Sequence, residues 1–148
     1  MTSIINNIDY GPLHQLIGSW RGDRGLDVSP EPDGDDKNAY YDEMTFIPSG
    51  ATDNAEEQYL VSVRYHQVVR KRSNGKIFHD QIGHWIYEPA TGLIMHSLTI
   101  PRGVCLLAGG NVTQDGDETV FKVEAKAGSD SFGIVQSPFM LQKARTEA

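Results

Sequence analysis

A two-residue alternation of apolar and polar side chains is the feature that most limits how this chain can fold. In the stretch TVFKVEAKA, Phe121 and Val123 fall on one side of an extended chain, while Lys122 and Glu124 fall on the other. Residues 58–70, QYLVSVRYHQVVR, alternate in a similar way. Successive side chains of a β-strand point to opposite faces of the sheet, so these stretches predict strands with one buried and one wet face.

Turn-forming residues separate the alternating stretches at short intervals. Glycine, proline and asparagine favour the tight turns that join antiparallel neighbours, and they occur in SNG at 73–75, PATG at 89–92, PRG at 101–103 and QDGDE at 114–118. Consecutive strands should therefore pair antiparallel. Two further polar stretches, DVSPEPDGDDKN and SGATDNAEE, are predicted to be surface loops.

The fold expected from this pattern is a single all-β domain over residues 1–148. A chain of 148 residues is the size of one domain with one core. About seven or eight strands with one apolar face must either close on themselves or pack as two sheets. We expect an antiparallel up-and-down β-barrel, calycin-like or lipocalin-like, with a short N-terminal helical plug; a Greek-key sandwich is the alternative.

Composition and charge argue against several classes of partner and location. The net charge of −7 repels phosphate backbones, so we expect no nucleic-acid partner. No apolar stretch approaches the ~20 residues of a membrane helix, so no membrane contact is expected. The N-terminal segment lacks the features of a secretory signal, and the single Cys105 cannot form an internal disulfide. These features predict a cytoplasmic protein.

The N-terminal stretch LHQLIGSWRGDRG places a tryptophan between two glycines. We expect a short helical turn followed by a strand, with Trp20 buried at the closed end of the barrel. Gly18 and Gly22 would let the backbone approach the indole closely. Arg21, the neighbour of Trp20, would then lie on the outer face.

Histidine is the main candidate for site chemistry, since no common catalytic motif occurs in the sequence. His79 and His84 are five residues apart and point to opposite faces of a regular strand. We take the face of His79, shared with Gln81, Gly83 and Trp85, as the interior. The alternation around His96 leaves it open whether that residue points inward or outward.

Several blocks of the sequence resemble one family. They are LIGSWRGDRG, YYDEMTF, YHQ, GKIFHDQIGHW and ATGLIMHSLT. In order and spacing these blocks are similar to the nitrobindin or THAP4-like heme-binding β-barrels, which belong with the fatty-acid-binding-protein-like and other calycin proteins. The resemblance implies a barrel of roughly ten strands that binds ferric heme, with nitrogen-oxide or peroxynitrite isomerase-like chemistry. It also implies that His79, after Phe78, sits over the heme and that Thr99 occupies a pocket position.

This sequence departs from the family pattern at two positions that matter for heme. The family's iron ligand is a histidine on the final strand, and this chain has no histidine after His96. Gln81 stands where the family carries a glutamate. We therefore expect weakened or lost heme binding, with His96 or His79 as the substitute iron ligand.

The function expected from these features is binding of heme or another small apolar molecule inside the barrel. The ligand contacts expected are Phe78, His79, Tyr65, Gln67, Met95 and Thr99, and the acidic run EPDGDDK is expected to take no part. Two alternatives stay open. One is an enzyme that uses His79 as acid or base in the same cavity, and the other is a structural module without a ligand.

The end of the chain tests whether the barrel closes. Residues 131–148 must pair with the first strand or leave an open edge of unpaired backbone groups. Pro138 weakens this segment as a central strand, because proline cannot donate to the ladder. We therefore expect a barrel that is open, closed by a second copy as a homodimer, or truncated.

Overall fold

A curled antiparallel half-barrel dominates the computed structural model, which describes residues 2–31 and 34–147, and the side chains of residues 2–23 and 39–142. The elements follow one another as β1 (Ile4–Ile5), β2 (Ile8–Asp9), a 3₁₀ helix (Gly11–Leu16), β3 (Gly18–Glu31), β4 (Gly34–Asn54), β5 (Gln58–Lys71), β6 (Ile77–Glu88), β7 (Leu93–Ile100), β8 (Val104–Asp115), β9 (Glu118–Glu124), β10 (Ile134–Gln136) and α1 (Pro138–Glu147).

Strands β3 to β9 follow each other as antiparallel neighbours, and β10 pairs with β8 beside β9. The all-β antiparallel prediction is confirmed. The four predicted turns are also present, and each contains a glycine at positive φ: Gly75, Gly92, Gly103 and Gly116. Neither helix in the described part of the chain is long and apolar enough to cross a bilayer.

The sheet remains open between its first and last strands. Over the described residues, β3 pairs only with β4, and β9 and β10 pair only with β8. The chain's own C-terminal segment therefore does not pair with β3. It forms the short β10 and then α1, which begins at Pro138, because proline is well tolerated in the first turn of a helix.

The hydrophobic core lies on the inner face of the half-barrel. On β5 the buried residues are Val61, Val63, Tyr65 and Val69, which share the face that the sequence pattern predicts with the half-buried Gln67. Phe46 of β4 lies opposite Tyr65, and the core continues onto β7 through Ile94.

The N-terminal segment plugs one end of this half-barrel, as expected, but through different residues. Leu13 of the 3₁₀ helix is fully buried, and the preceding Tyr10 is 3% exposed. The hydroxyl of Tyr10 accepts a hydrogen bond from the backbone N–H of Gly50 at 3.1 Å. Two residues from outside the sheet's main ladder thus close this end of the core.

Trp20 is not the buried plug that its position between glycines suggests. Its side chain is 52% exposed, and over the described residues its strand β3 lies at the edge of the sheet and pairs only with β4. The indole Nε1 donates to the backbone oxygen of Leu16 at 2.7 Å. Gly18 and Gly22 have nothing within 4 Å of an added Cβ, so neither makes the expected close approach. Arg21 lies on the other face, with its guanidinium carbon 4.5 Å from the ring centre of Tyr41.

The two predicted surface loops are instead largely strand. β3 continues to Glu31 and β4 begins at Gly34, so the backbone of the acidic stretch extends a hairpin. β4 also runs on to Asn54 after an irregularity between Pro48 and Gly50. The prediction that the run EPDGDDK takes no part in ligand binding concerns side chains that lie outside the described residues.

Candidate functional site

Polar side chains gather on the inner face at the end of the half-barrel away from the plug. The register pairs Gln67 of β5 with Gln81 of β6, and Tyr65 with Gly83. Directly paired residues project to the same face of a sheet. The β5 and β6 side chains therefore meet on the inner surface, where the apolar alternation of β5 is interrupted by Gln67.

A bulge in β6 changes the direction of two side chains next to this polar region. Val69 pairs with His79 and Arg70 with Ile77, which leaves Phe78 as an extra residue in β6. Such a bulge re-aims side chains that a regular strand would send to opposite faces. Phe78 and His79 both line one cleft, and Phe78 meets the ring of Tyr40 edge to face at 5.7 Å.

The cleft has a volume of about 340 Å³ and combines aromatic walls with polar groups. It is lined by Tyr40, Asp42, Gln67, Val69, Phe78, His79 and Arg102. Gln67 Nε2 donates to Asp42 Oδ2 at 3.0 Å, while Asp42 Oδ1 is buried without a hydrogen-bond partner. Arg102 donates to the backbone oxygen of Phe78 at 3.3 Å.

A chain of hydrogen bonds leads from the cleft toward the core. His79 Nε2 lies 3.0 Å from Gln81 Oε1, and Gln81 Nε2 donates to the hydroxyl of Tyr65. That hydroxyl lies 2.6 Å from His96 Nε2. An amide oxygen only accepts, so His79 Nε2 carries a proton. Tyr65 then donates to His96, whose Nε2 accepts.

Gly83 explains why the Tyr65 ring can lie where it does. A Cβ at position 83 would stand 2.8 Å from Tyr65 Cε1 and 2.9 Å from its hydroxyl oxygen, and it would also clash with the backbone oxygen of Ser97. The missing side chain leaves room for the tyrosine ring beside β6. The space that this small residue provides is thus filled by Tyr65.

Burial favours the uncharged forms of the Tyr65 hydroxyl and the His96 imidazole, which share a hydrogen bond. Desolvation lowers the pKa of His96 to about 4. Desolvation also raises the pKa of Tyr65, against a smaller opposing effect of the hydrogen bond from Gln81. The His96 ring stacks on Trp85 with centroids 4.1 Å apart. Near neutral pH this pair therefore positions side chains and does not readily exchange protons.

The structure brings four of the six predicted ligand contacts together on the inner face: Tyr65, Gln67, Phe78 and His79. His96, which the sequence left open, also points inward, opposite Trp85.

The other two predicted contacts, Met95 and Thr99, lie on the outer face. Met95 pairs with Ile86 of β6, and Thr99 pairs with Ile82. Both isoleucines point outward, because they alternate with the inward residues Gly83 and Trp85. Thr99 lines a different groove of about 670 Å³, together with Cys105 and Val135. Because a shift of one residue reverses the face of a strand, assigning them to the His79 pocket was wrong.

Sequence reasoning missed four cleft residues: Tyr40, Asp42, Val69 and Arg102. A signal for two of them was present in YYDEMTF, where Tyr40 and Asp42 share their alternation with Met44 and the buried Phe46. An acidic residue among inward positions marks a candidate site. Arg102 lies in a turn, where strand periodicity gives no information about direction.

Comparison with known families places this inner-face cleft in context. The THAP4-like, heme-binding beta-barrel domain matches residues 9–146. The chain belongs to this family. The match covers nearly the whole sequence and confirms the resemblance drawn from the blocks around Trp20, His79 and Thr99. No curated protein and no solved structure matches the chain.

In the present arrangement, neither His96 Nε2 nor His79 Nε2 offers a free lone pair to a heme iron. His96 Nε2 is held by Tyr65, and the face of its ring is covered by Trp85. His79 Nε2 is directed at Gln81 Oε1. An iron ligand needs an unprotonated imidazole nitrogen facing an open, largely apolar cavity. Of the two candidates, only His79 lines the cleft, and that cleft carries Asp42 and Gln67.

Proposed function

We propose that this THAP4-like domain binds a small planar molecule in the inner-face cleft and binds heme only weakly. The observation that carries this proposal is the cleft lined by Tyr40 and Phe78, which places an aromatic wall beside the polar groups of Asp42, Gln67 and His79. Ligand sites commonly combine an apolar wall with a few converging polar groups, in volumes of roughly 300–1,000 Å³. The volume of about 340 Å³ suits a one-ring or two-ring molecule.

The state of the polar network favours binding over acid and base catalysis. A general acid or base works best when its pKa lies near the operating pH. The pKa of His96 is lowered to about 4 and that of Tyr65 is raised, so neither titrates near neutrality. Gln81 lies between His79 and this pair and cannot exchange a proton readily. The network is suited to holding the cleft in one geometry.

The weak binding of heme follows from what an iron ligand would break. Coordination through His96 Nε2 would cost the hydrogen bond from Tyr65 and displace the ring from Trp85. Coordination through His79 would place the porphyrin against Asp42 and Gln67, whose polar groups would lose solvent or partners. With either histidine as ligand, the protein would lose stabilising contacts in order to form its single strong bond to the iron.

The open edges of the sheet support a second proposal, that two copies associate. The 14-residue strand β3 pairs with β4 along one edge and, over the described residues, with no strand along the other, and its Trp20 is 52% exposed. Proteins usually cover such an edge. Pairing with a second copy would satisfy the backbone groups of β3 and bury the indole. Light scattering of the purified protein tests this, and a monomer at all concentrations would contradict it.

Titration with hemin and with 1-methylindole, a planar bicycle, tests the function. We expect no tight one-to-one Soret band with hemin. We expect 1-methylindole to shift the amide resonances of Gln67, Phe78 and His79. Phe78→Ala should weaken that binding, whereas Met95→Ala, on the outer face, should leave it unchanged. A stoichiometric Soret band, or shifts confined to the groove around Thr99 and Cys105, would overturn the proposal.

A further inference from the structure

One carboxyl oxygen at the cleft lacks a hydrogen-bond donor. Asp42 Oδ2 accepts from Gln67 Nε2 at 3.0 Å, but Asp42 Oδ1 has less than 1 Å² of accessible surface and no partner. Buried polar atoms in native proteins are nearly always paired, so an exception calls for a physical explanation. The atom belongs to a residue that lines the cleft, which is where a ligand would supply the missing donor.

From this arrangement we infer that the cleft selects ligands that carry an N–H donor on a planar ring, with Asp42 as the group that receives it. This inference rests on the proposed function and names the chemical class of its ligand. The flat part of such a molecule would lie against Tyr40 and Phe78, whose rings meet edge to face at 5.7 Å. Aromatic side chains favour ring partners through offset and edge contacts.

Gln67 prepares Asp42 for this role. Its amide holds one carboxyl oxygen and leaves the other for a second donor. The terminal torsion of an aspartate has a broad minimum, so a modest rotation turns Oδ1 toward the cleft. Water already has almost no access to this oxygen. After that rotation, a ligand donor gains a charge-assisted hydrogen bond to this oxygen.

Arg102, the other charged side chain of the cleft, does not compete with Asp42 for the same donor. His79 Nε2 is a donor toward Gln81, and the Arg102 guanidinium has no acceptor atom and donates to the Phe78 backbone. Of the two charged side chains that line the cleft, Asp42 is thus the acceptor, and its Oδ1 faces no protein donor. A preference for ligands with an N–H donor therefore distinguishes this cleft from a purely apolar pocket.

Two probes of similar size test the inference on the intact chain. They are 2-aminobenzimidazole, which carries amino and ring N–H donors, and 1-methylindole, which carries none. One charge-assisted hydrogen bond corresponds to about a tenfold or greater change in affinity. We expect 2-aminobenzimidazole to bind the unmodified protein at least about tenfold more tightly, as followed by the amide resonances of Gln67, Phe78 and His79.

Substitutions at Asp42 locate the effect. Asp42→Asn and Asp42→Leu should reduce the preference for 2-aminobenzimidazole over 1-methylindole to about twofold or less. The matched control is Asp80→Asn, which makes the same change in charge on the outer face of β6, where Asp80 pairs with His66 at 2.8 Å. That control should keep the full preference. The affinities of the two probes are also compared on the unmodified protein. That comparison still tests the inference if the Asp42 variants fail to fold.

The outcomes separate this inference from the proposed function. Equal binding of both probes at the cleft, or a preference that survives both Asp42 substitutions, overturns the inference and leaves cleft binding intact. If Asp80→Asn also loses the preference, the preference arises from net charge and not from Asp42, and the inference is again overturned. If neither probe shifts the cleft resonances, the cleft is not a binding site and both proposals fail.

Discussion

The plugged end and the cleft end of the inner face are built from the same strands but differ in what covers them. At the plugged end Leu13, Val61, Val63 and Ile94 are fully buried. At the cleft end, residues at the same alternation, such as Gln67 and His79, are polar and half-buried. The N-terminal segment covers only the first group. A strand face therefore becomes core where another element covers it and becomes a candidate binding surface where none does.

Tyr65 marks the boundary between the two ends. Its ring is 2% exposed and lies 5.3 Å from that of Phe46 in the core. Its hydroxyl belongs to the polar network, bonded to Gln81 and His96. A tyrosine suits such a boundary, because its apolar ring and polar tip can lie in different surroundings.

The largest expected effect is at the plug. Leu13→Ala should lower the free energy of unfolding by about 3 kcal/mol, since it leaves a cavity at a fully buried position. Trp20→Ala, on the exposed edge strand, should cost only about 1 kcal/mol, less than the 3–5 kcal/mol typical of a buried tryptophan. Urea unfolding of both variants measures the contrast. A larger loss for Trp20→Ala would show that the indole, and not the 3₁₀ helix, closes this end.

A smaller effect is expected at the boundary. Gly83→Ala should cost about 2 kcal/mol, because the new methyl group meets both the Tyr65 ring and a backbone oxygen of β7. Gly22→Ala is the control: nothing lies within 4 Å of its added Cβ, and a change within about 0.5 kcal/mol is expected. Thermal melts and urea titrations compare the two. Equal stability of both variants would mean that Tyr65 does not depend on the space at Gly83.

The smallest of these effects depends on pH. Burial lowers the pKa of His96 from 6.5 to about 4 in the folded chain, so between these values the unfolded state binds more protons. Stability should therefore be greatest above pH 6.5 and fall as the pH drops toward 4. Allowing for its partial exposure to solvent, the loss is about 1–2 kcal/mol.

Chemical denaturation at a series of pH values measures this dependence. His96→Gln should flatten the slope between pH 6.5 and 4, whereas His84→Gln, on the outer face of β6, should keep it. An unchanged slope in His96→Gln would show that the buried imidazole is not its source.

Local chemistry in the sequence determined the strands, their antiparallel order and the turns. The alternation of Val61, Val63 and Tyr65 needs only the two-residue period of a strand, and Gly75 and Gly92 take up positive φ angles that glycine adopts without strain. The inward direction of His79 followed from the same alternation. The family blocks supported the β-barrel class, because their order and spacing can be read from the sequence alone.

Tertiary structure decided which inward residues became core and which lined the cleft. Trp20 had the motif of a plug, but β3 has no neighbour beyond it, and the indole stayed 52% exposed while Leu13 was buried. Met95 and Thr99 lie one residue from inward positions, and only the register assigned them to the outer face. The bulge at Phe78 and the unpaired oxygen of Asp42 depend on contacts between β4, β5 and β6. Such contacts join residues far apart in the chain, whereas periodicity reports only on near neighbours.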